Sequence, residues 1–171
     1  MLGDTQTEGP LPLGADNDIF WFAQGRVAVV APRSESGGVD EAVQQVADRY
    51  ERVGKTLALA VIINDGTERP GDGMDKRIQK ALDEVAPMVS CTAIAILGSG
   101  FFASFFMSLL GRALKLSKRG RGRQRIHTSL ESAADWMHRQ LDDPETSVAE
   151  ILQTLRWANA NTGTRLAERA L

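Results

Sequence analysis

The sequence predicts a single α/β domain in which helices pack on one mixed sheet. Short apolar runs of strand length alternate with longer segments whose apolar residues recur at helical spacing. The order of these segments is ββαβαβαβα followed by one extra C-terminal helix, and such alternation implies parallel crossover connections. The 171 residues are close to the usual size of one domain and are enough to bury a substantial core.

The first part of the chain supplies an opening hairpin, a helix and a central strand. Residues 19–23 and 26–31 are apolar runs on either side of a Gln-Gly turn, which predicts two paired strands. Apolar residues then recur at helical spacing over 39–53, and Gly54 ends this helix. Residues 56–63 (TLALAVII) form a continuous apolar run, which is typical of a strand covered on both faces.

The middle of the chain repeats the alternation twice. A second helix has its first apolar position at Met74 and ends near Pro87, and residues 90–97 (SCTAIAIL) form another short apolar strand. A Gly-Ser-Gly turn leads into a helical stretch over 101–117. The sequence therefore predicts a strand, a tight connection and a helix in direct succession.

The last part of the chain contains a basic loop, a short strand and two helices. The loop covers 118–122 and the strand 123–127. Two capping boxes, in which a hydroxyl residue is followed three positions later by Glu, predict the helix starts. Their residues are Thr128 with Glu131 and Ser147 with Glu150.

Domain boundaries and cellular location follow from the same patterns. We expect a flexible N-terminal tail over 1–17, one domain over 18–142 and an appended C-terminal helix over 143–171. The tail is polar and acidic and lacks the basic-then-apolar order of a signal peptide. A single cysteine, Cys91, allows no internal disulfide and indicates a reducing compartment. We therefore expect a cytoplasmic protein, with peripheral attachment to the inner membrane as the alternative.

Positive charge is concentrated in one stretch, although the formal net charge is only −2. Residues 85–128 contain no Asp or Glu. The basic residues of that stretch are Arg112, Lys115, Lys118, Arg119, Arg121, Arg123 and Arg125. We treat them as a candidate binding surface for an anionic partner.

Two interpretations of these basic residues stay open. Lys and Arg near a helix C-terminus interact favourably with the helix dipole, so Arg112, Lys115 and Lys118 need no partner. The arginines of the loop gain little from a dipole, and they suit anionic lipid headgroups, RNA or an acidic patch on a protein. Nucleic acid is the least favoured of these partners, because the loop has no aromatic side chains for base stacking.

The uncharged stretch over 85–111 is long enough to raise the question of a membrane span. Pro and Gly residues interrupt it, and its helical part has one apolar stripe, whereas a span facing lipid is apolar all round. The stripe consists of Phe101, Phe102, Phe105, Phe106, Leu109, Leu110, Ala113 and Leu114. The pattern favours a helix that covers the sheet, and the four phenylalanines are a candidate hydrophobic interface for a partner or for a homodimer.

Signatures of catalysis are scarce. Gly98-Ser99-Gly100 matches neither a nucleophile elbow nor a phosphate-binding loop. His127 and His138 are eleven residues apart, and no Cys or carboxylate spacing completes a metal site. The sequence therefore predicts no catalytic residue, no cofactor and no metal, and it favours a non-enzymatic protein, with an enzyme that uses the Ser99 turn as the weakest alternative.

The element order, with a buried CTAIAIL strand running into an FFASFFMSLL helix, a basic loop and a closing SLESAADWMHRQL helix, resembles the STAS domain family. The likeness covers about residues 18–141 and is closest to bacterial single-domain members grouped as STAS-like or Sec14-like proteins. It implies a non-enzymatic regulatory or scaffold module of bacterial signalling that binds a protein partner. The alternative is a peripheral membrane or lipid-sensing domain that uses the Phe-rich helix and the Arg-rich loop.

The resemblance also implies a phosphorylation site. Family members often carry an Asp-Ser-Ser-Gly type sequence after the central strand, and a partner kinase phosphorylates its serine. This chain has Asn-Asp-Gly-Thr-Glu at 64–68, where Thr67 is the nearest hydroxyl. Thr67 is therefore the possible phosphorylation site.

Overall fold

The structure is a computed structural model that describes residues 19–33, 39–65, 67–120 and 122–169. In these residues a five-stranded sheet has the order β1-β2-β3-β4-β5. The strands are β1 (Ile19–Gln24), β2 (Val27–Pro32), β3 (Leu57–Ile63), β4 (Val89–Ile96) and β5 (Gln124–His127). Strand β1 pairs with β2 in the antiparallel sense, and the remaining pairs are parallel. The predicted tail over 1–17 lies outside the described residues.

Five α-helices follow the predicted order in the described chain. They are α1 (Val39–Val53), α2 (Met74–Val85), α3 (Gly100–Leu116), α4 (Leu130–Leu141) and α5 (Val148–Arg169), and a short 3₁₀ turn (Ala86–Met88) follows α2. The predicted α/β class and the order of strands and helices are confirmed, with boundaries that differ by one or two residues. Crossover connections between parallel strands nearly always have the same hand. Because β2, β3, β4 and β5 lie in chain order, this rule places α1, α2 and α3 on the same face of the sheet.

Alternate residues of each strand separate the two faces of the sheet, because successive strand side chains point to opposite sides. Trp21, Val30 and Leu59 pack towards α1, and Ile94 and Ile96 pack towards α3. The opposite face is built mainly from small side chains, and α4 and α5 cover it. Those small residues include Ala31, Ala58, Ala60, Cys91, Ala93 and Ala95. Their size leaves room for the large side chains of the two covering helices.

The C-terminal helix, which was predicted as an appended helix, packs into this core through part of its length. Ile151, Leu155 and Ala158 on α5 are fully buried in the same cluster as the small sheet residues. The ring of Trp157 lies edge-on to Phe22, with 5.2 Å between centroids. Sequence alone left open whether this helix docks onto the domain, and the contacts show that it does.

One predicted capping box is confirmed and the other is wrong by one residue. The Ser147 N–H donates to Glu150 Oε2 at 2.8 Å, and the Glu150 N–H donates to Ser147 Oγ at 3.2 Å. The cap of α4 is Ser129, whose Oγ accepts from the Ser132 N–H at 3.2 Å. Because the helix begins one residue later than predicted, Glu131 cannot reach back to its cap. It pairs instead with a residue of α5, Arg156, at 2.8 Å.

Helix α3 covers the sheet through one side, as its stripe predicts. Phe106, Leu109, Leu110 and Ala113 are buried against the end of the sheet. Among the described residues, no helix combines the length and hydropathy that a bilayer span requires. The inward side of α3 is therefore fixed in the core, and its outward side remains as surface.

Candidate functional site

The outward side of α3 exposes large apolar side chains. Phe101 is 75% exposed, Leu116 47% and Met107 43%. In the described part of the chain only one other large hydrophobic side chain, Trp157, is comparably exposed. Exposed apolar side chains of this size are therefore concentrated on one helix, which makes α3 the strongest candidate for an interaction surface.

The four predicted interface phenylalanines divide between surface and core. Phe101 is exposed, Phe102 and Phe105 are half-buried, and Phe106 is only 4% exposed. The Phe106 ring contacts those of Phe102 and Phe105, with centroids 4.9 and 5.4 Å apart. Phe106 therefore belongs to the domain core and is withdrawn from the predicted interface, because a buried ring cannot meet a partner without unpacking the helix.

Arg69 extends the positive surface to the N-terminal end of α3. It lies in the connection between β3 and α2, and its guanidinium carbon is 4.3 Å from the ring centroid of Phe105 and 5.5 Å from that of Phe101. Both distances are within the range of cation–π attraction. Arg69 is not among the binding residues predicted from the sequence, since only its position in space relates it to α3.

The predicted basic residues cluster at the other end of the same helix. Arg112, Lys115, Lys118 and Arg119 are exposed in the last turns of α3 and in the loop that follows. Arg112 Nε lies 3.9 Å from Asp75 Oδ2 in an exposed ion pair, and such a pair adds little to stability. We call Phe101, Met107 and these four residues the basic α3 surface.

Two further arginines of the predicted basic set, Arg123 and Arg125, follow the basic α3 surface along the chain. Arg123 donates from its guanidinium to the Arg119 carbonyl at 3.3 Å, and Arg125 is exposed on the edge strand β5. Arg121 lies outside the described residues. The structure therefore places Arg123 and Arg125 next to the loop without joining them to a single pocket.

Asp83 on α2 holds the loop in place. Its Oδ1 accepts hydrogen bonds from Ser117 Oγ at 2.8 Å and from the N–H groups of Lys118 and Arg119, each at 3.2 Å. Partial burial acts to raise the pKa of this carboxyl, but the hydrogen bonds from Ser117, Arg119, Gln79 and Lys118 outweigh it, so the pKa lies below its ordinary value of 3.8. The ionised carboxylate therefore fixes the start of the basic loop at neutral pH.

Thr67, the possible phosphorylation site, is buried. It is 8% exposed, its Oγ1 accepts from the Asn64 N–H at 3.2 Å, and its own N–H donates to the Asn64 carbonyl at 2.8 Å. The hydroxyl is thus part of a closed turn after β3. A kinase requires an accessible hydroxyl, so Thr67 is not retained in the site.

The side chains of His127 and Cys91 are also buried in the fold. Burial, and then the charge of Arg125, lower the pKa of His127, whose Nδ1 lies 2.8 Å from Ser132 Oγ. Burial raises the pKa of the Cys91 thiol to about 12. Within the described residues no group of three or more His, Cys, Asp or Glu side chains is placed to hold a metal ion.

Comparisons of this chain with family models, with curated proteins and with solved structures find no match. The likeness to the STAS family therefore stays a prediction from the sequence. The fold and the site define an α/β protein with one basic and aromatic helix surface.

Proposed function

We propose that this chain is a non-enzymatic regulatory or scaffold module that binds an acidic partner protein through the basic α3 surface. The observation that supports this most is the exposure of Phe101, at 75%, on a helix and loop without any acidic residue. Buried aromatic anchors surrounded by charged residues are typical of the energetic centres of protein interfaces. A role in bacterial signalling rests on the resemblance to the STAS family.

Charge and apolar contact have separate roles in this proposal. The basic side chains attract an acidic partner and favour one orientation of approach, an effect that weakens as salt rises. Burying the Phe101 side chain removes apolar area from water, which is worth on the order of 2 kcal/mol for a full burial. The partner surface we propose therefore has a small apolar recess that receives Phe101 and an acidic region that meets the last turns of α3 and the loop after it.

The hydrogen bonds of Asp83 favour binding as well. Ordering a flexible loop on binding costs free energy, and a loop that is already ordered avoids this cost. Lys118 and Arg119 are fixed at their backbone N–H groups by Asp83, while their side chains stay exposed. The basic groups are therefore presented from a preorganised backbone.

Photo-crosslinking in cells that carry the protein naturally tests this proposal. A photoreactive phenylalanine analogue replaces Phe101, and in a matched control it replaces Gln140, an exposed residue of α4 on the opposite side of the sheet. We expect a discrete crosslinked product with an acidic protein from position 101 and none from position 140. A product of twice the chain mass would instead indicate a homodimer. Equal yields at the two positions, or no product, would contradict the proposal.

The second candidate is a peripheral membrane or lipid-sensing domain. It is favoured by the exposure of Phe101, Met107 and Lys115 on one helix, because exposed apolar and basic side chains on a helix suit an anionic bilayer surface. Co-sedimentation with phosphatidylcholine vesicles, with and without phosphatidylglycerol, separates the two candidates. Our proposal predicts no binding to either, and binding to the anionic vesicles alone would favour the membrane candidate.

A further inference from the structure

An apolar cavity of about 140 Å³ lies between the sheet and the layer formed by α1, α2 and α3. Strands β2, β3 and β4 form its floor, and the three helices form its walls. Among the described residues that line it, only Thr67 and Glu68 are polar, and both belong to the turn after β3. Representative wall residues are Val43, Val46, Leu59, Ile78, Ala81 and Phe106.

Part of the cavity lining lies at the carboxyl ends of the parallel strands. Pro32 at the end of β2 is half-buried, Val39 at the start of α1 and Pro70 in the turn are half-buried, and Glu68 is exposed. In open α/β sheets this edge is where ligands usually bind.

The size and the lining of the cavity define the ligand. Protein interiors are close-packed, and an unfilled space of this size is costly because its lining loses contacts. An engineered cavity of about 150 Å³ lined by Leu, Ile and Phe stays dry and binds benzene. Apart from Thr67 and Glu68, the cavity of this chain has a similarly apolar lining and nearly the same volume.

We propose that the cavity binds an uncharged hydrocarbon group of about six to eight carbon atoms. Glu68 is the one charged residue among the described lining residues, and its carboxylate disfavours an anionic headgroup and therefore selects against free fatty acids. The group is either a free small hydrocarbon or the end of an esterified acyl chain. This inference does not depend on the proposed partner surface, since the cavity is lined by the inward side of α3.

Cavity-filling variants provide the means of testing this. Ala81 on α2 and Ala42 on α1 both line the cavity, and leucine at either position adds apolar volume to it at little cost in helix propensity. Ala149 on α5 is exposed on the far side of the sheet, so Ala149→Leu is the matched control. We expect Ala81→Leu and Ala42→Leu to raise the melting temperature, because filling a cavity commonly stabilises a protein. A raised melting temperature also shows that the variant is folded.

Titration calorimetry of the full chain with toluene, methyl octanoate and octanoate is the experiment. We expect the unsubstituted chain and Ala149→Leu to bind toluene, and Ala81→Leu and Ala42→Leu to lose that binding. Binding of methyl octanoate as well identifies an acyl chain as the source, and binding of toluene alone identifies a free hydrocarbon. No toluene binding by the unsubstituted chain, toluene binding that persists in both filling variants, or a preference for octanoate over its ester would overturn the inference.

Discussion

Replacing Asp83 with alanine removes the carboxylate that holds the basic loop. Three donors meet Asp83 Oδ1: the hydroxyl of Ser117 and the N–H groups of Lys118 and Arg119. A hydrogen bond to a charged group contributes about 1.5–3 kcal/mol. The two N–H groups belong to exposed residues and can turn to water, while the buried Ser117 hydroxyl keeps a contact with Gln124 Nε2 at 3.3 Å. We therefore expect a loss of about 2 kcal/mol in the free energy of unfolding, close to one charged hydrogen bond.

Urea denaturation with a matched control measures this loss. Glu84 is the next residue on α2, and its carboxylate makes an exposed ion pair with Lys80 at 3.7 Å. Such pairs contribute roughly 0–1 kcal/mol, so Glu84→Ala should change the free energy of unfolding little. Trypsin should also cleave the Asp83→Ala chain faster after Lys118 and Arg119. Equal destabilisation by the two substitutions would refute the assignment of Asp83 as the residue that holds the loop.

The pH dependence of the same difference gives a second check. The pKa of Asp83 is lowered in the folded state, below the ordinary value of 3.8 that it takes when unfolded. Its contribution to stability is therefore fully present above the unfolded pKa and is lost as pH falls through the folded pKa. The difference between the unsubstituted chain and Asp83→Ala should be constant near neutral pH and should shrink only below about pH 4. A difference that shrank between pH 8 and 6 would point to another group.

Three further outcomes follow from the packing. Ser147→Ala should lower stability by about 1 kcal/mol, because it removes the side chain that caps α5. Thermal denaturation measures this effect, with Glu145→Ala at an exposed position as the control. Equal shifts in melting temperature for the two variants would contradict the capping role. Ile151→Ala should lower the free energy of unfolding by about 2–5 kcal/mol, because the Ile151 side chain is fully buried. Gln153→Ala, on the exposed side of α5, should lower it little. A small loss for Ile151→Ala would show that α5 is loosely attached. The Cys91 thiol should resist a disulfide reagent at pH 8 in the folded chain and react in urea, since burial raises its pKa to about 12, and rapid reaction in the folded chain would show that the strand is accessible.

The sheet and its helices could be predicted because their signals are local. Residues 56–63 are apolar without alternation, and β3 is indeed covered on both faces. The stripe of α3 could be predicted as well, since helical spacing alone aligns Phe106, Leu109 and Ala113. A stripe does not reveal which of its residues the rest of the fold covers, however, and Phe101 is exposed whereas Phe106 is buried.

The features missed by the sequence analysis depend on contacts between distant residues. Asp83 meets Ser117 across 34 positions, and nothing in the polar face of α2 distinguishes it from Glu84. The burial of α5 depends on the small residues of the sheet face that α4 and α5 cover. A short apolar run such as 90–97 does not indicate which helix will pack on each of its faces. The apolar cavity likewise arises from how three helices rest on the sheet. The basic residues could be predicted from charge alone. The hydrogen bonds from the Lys118 and Arg119 N–H groups to Asp83 could not.

The crosslinking yield from position 101 under charge reversal tests the central claim most directly. The double variant carries both Lys115→Glu and Arg119→Glu. Its control is Arg139→Glu, at an exposed position on α4. If the basic α3 surface binds an acidic partner, the double variant should lower the yield at least about tenfold, because like charges brought together at an interface cost several kcal/mol. Arg139→Glu should leave the yield unchanged. An undiminished yield in the double variant would contradict the claim that charge on this surface recognises the partner.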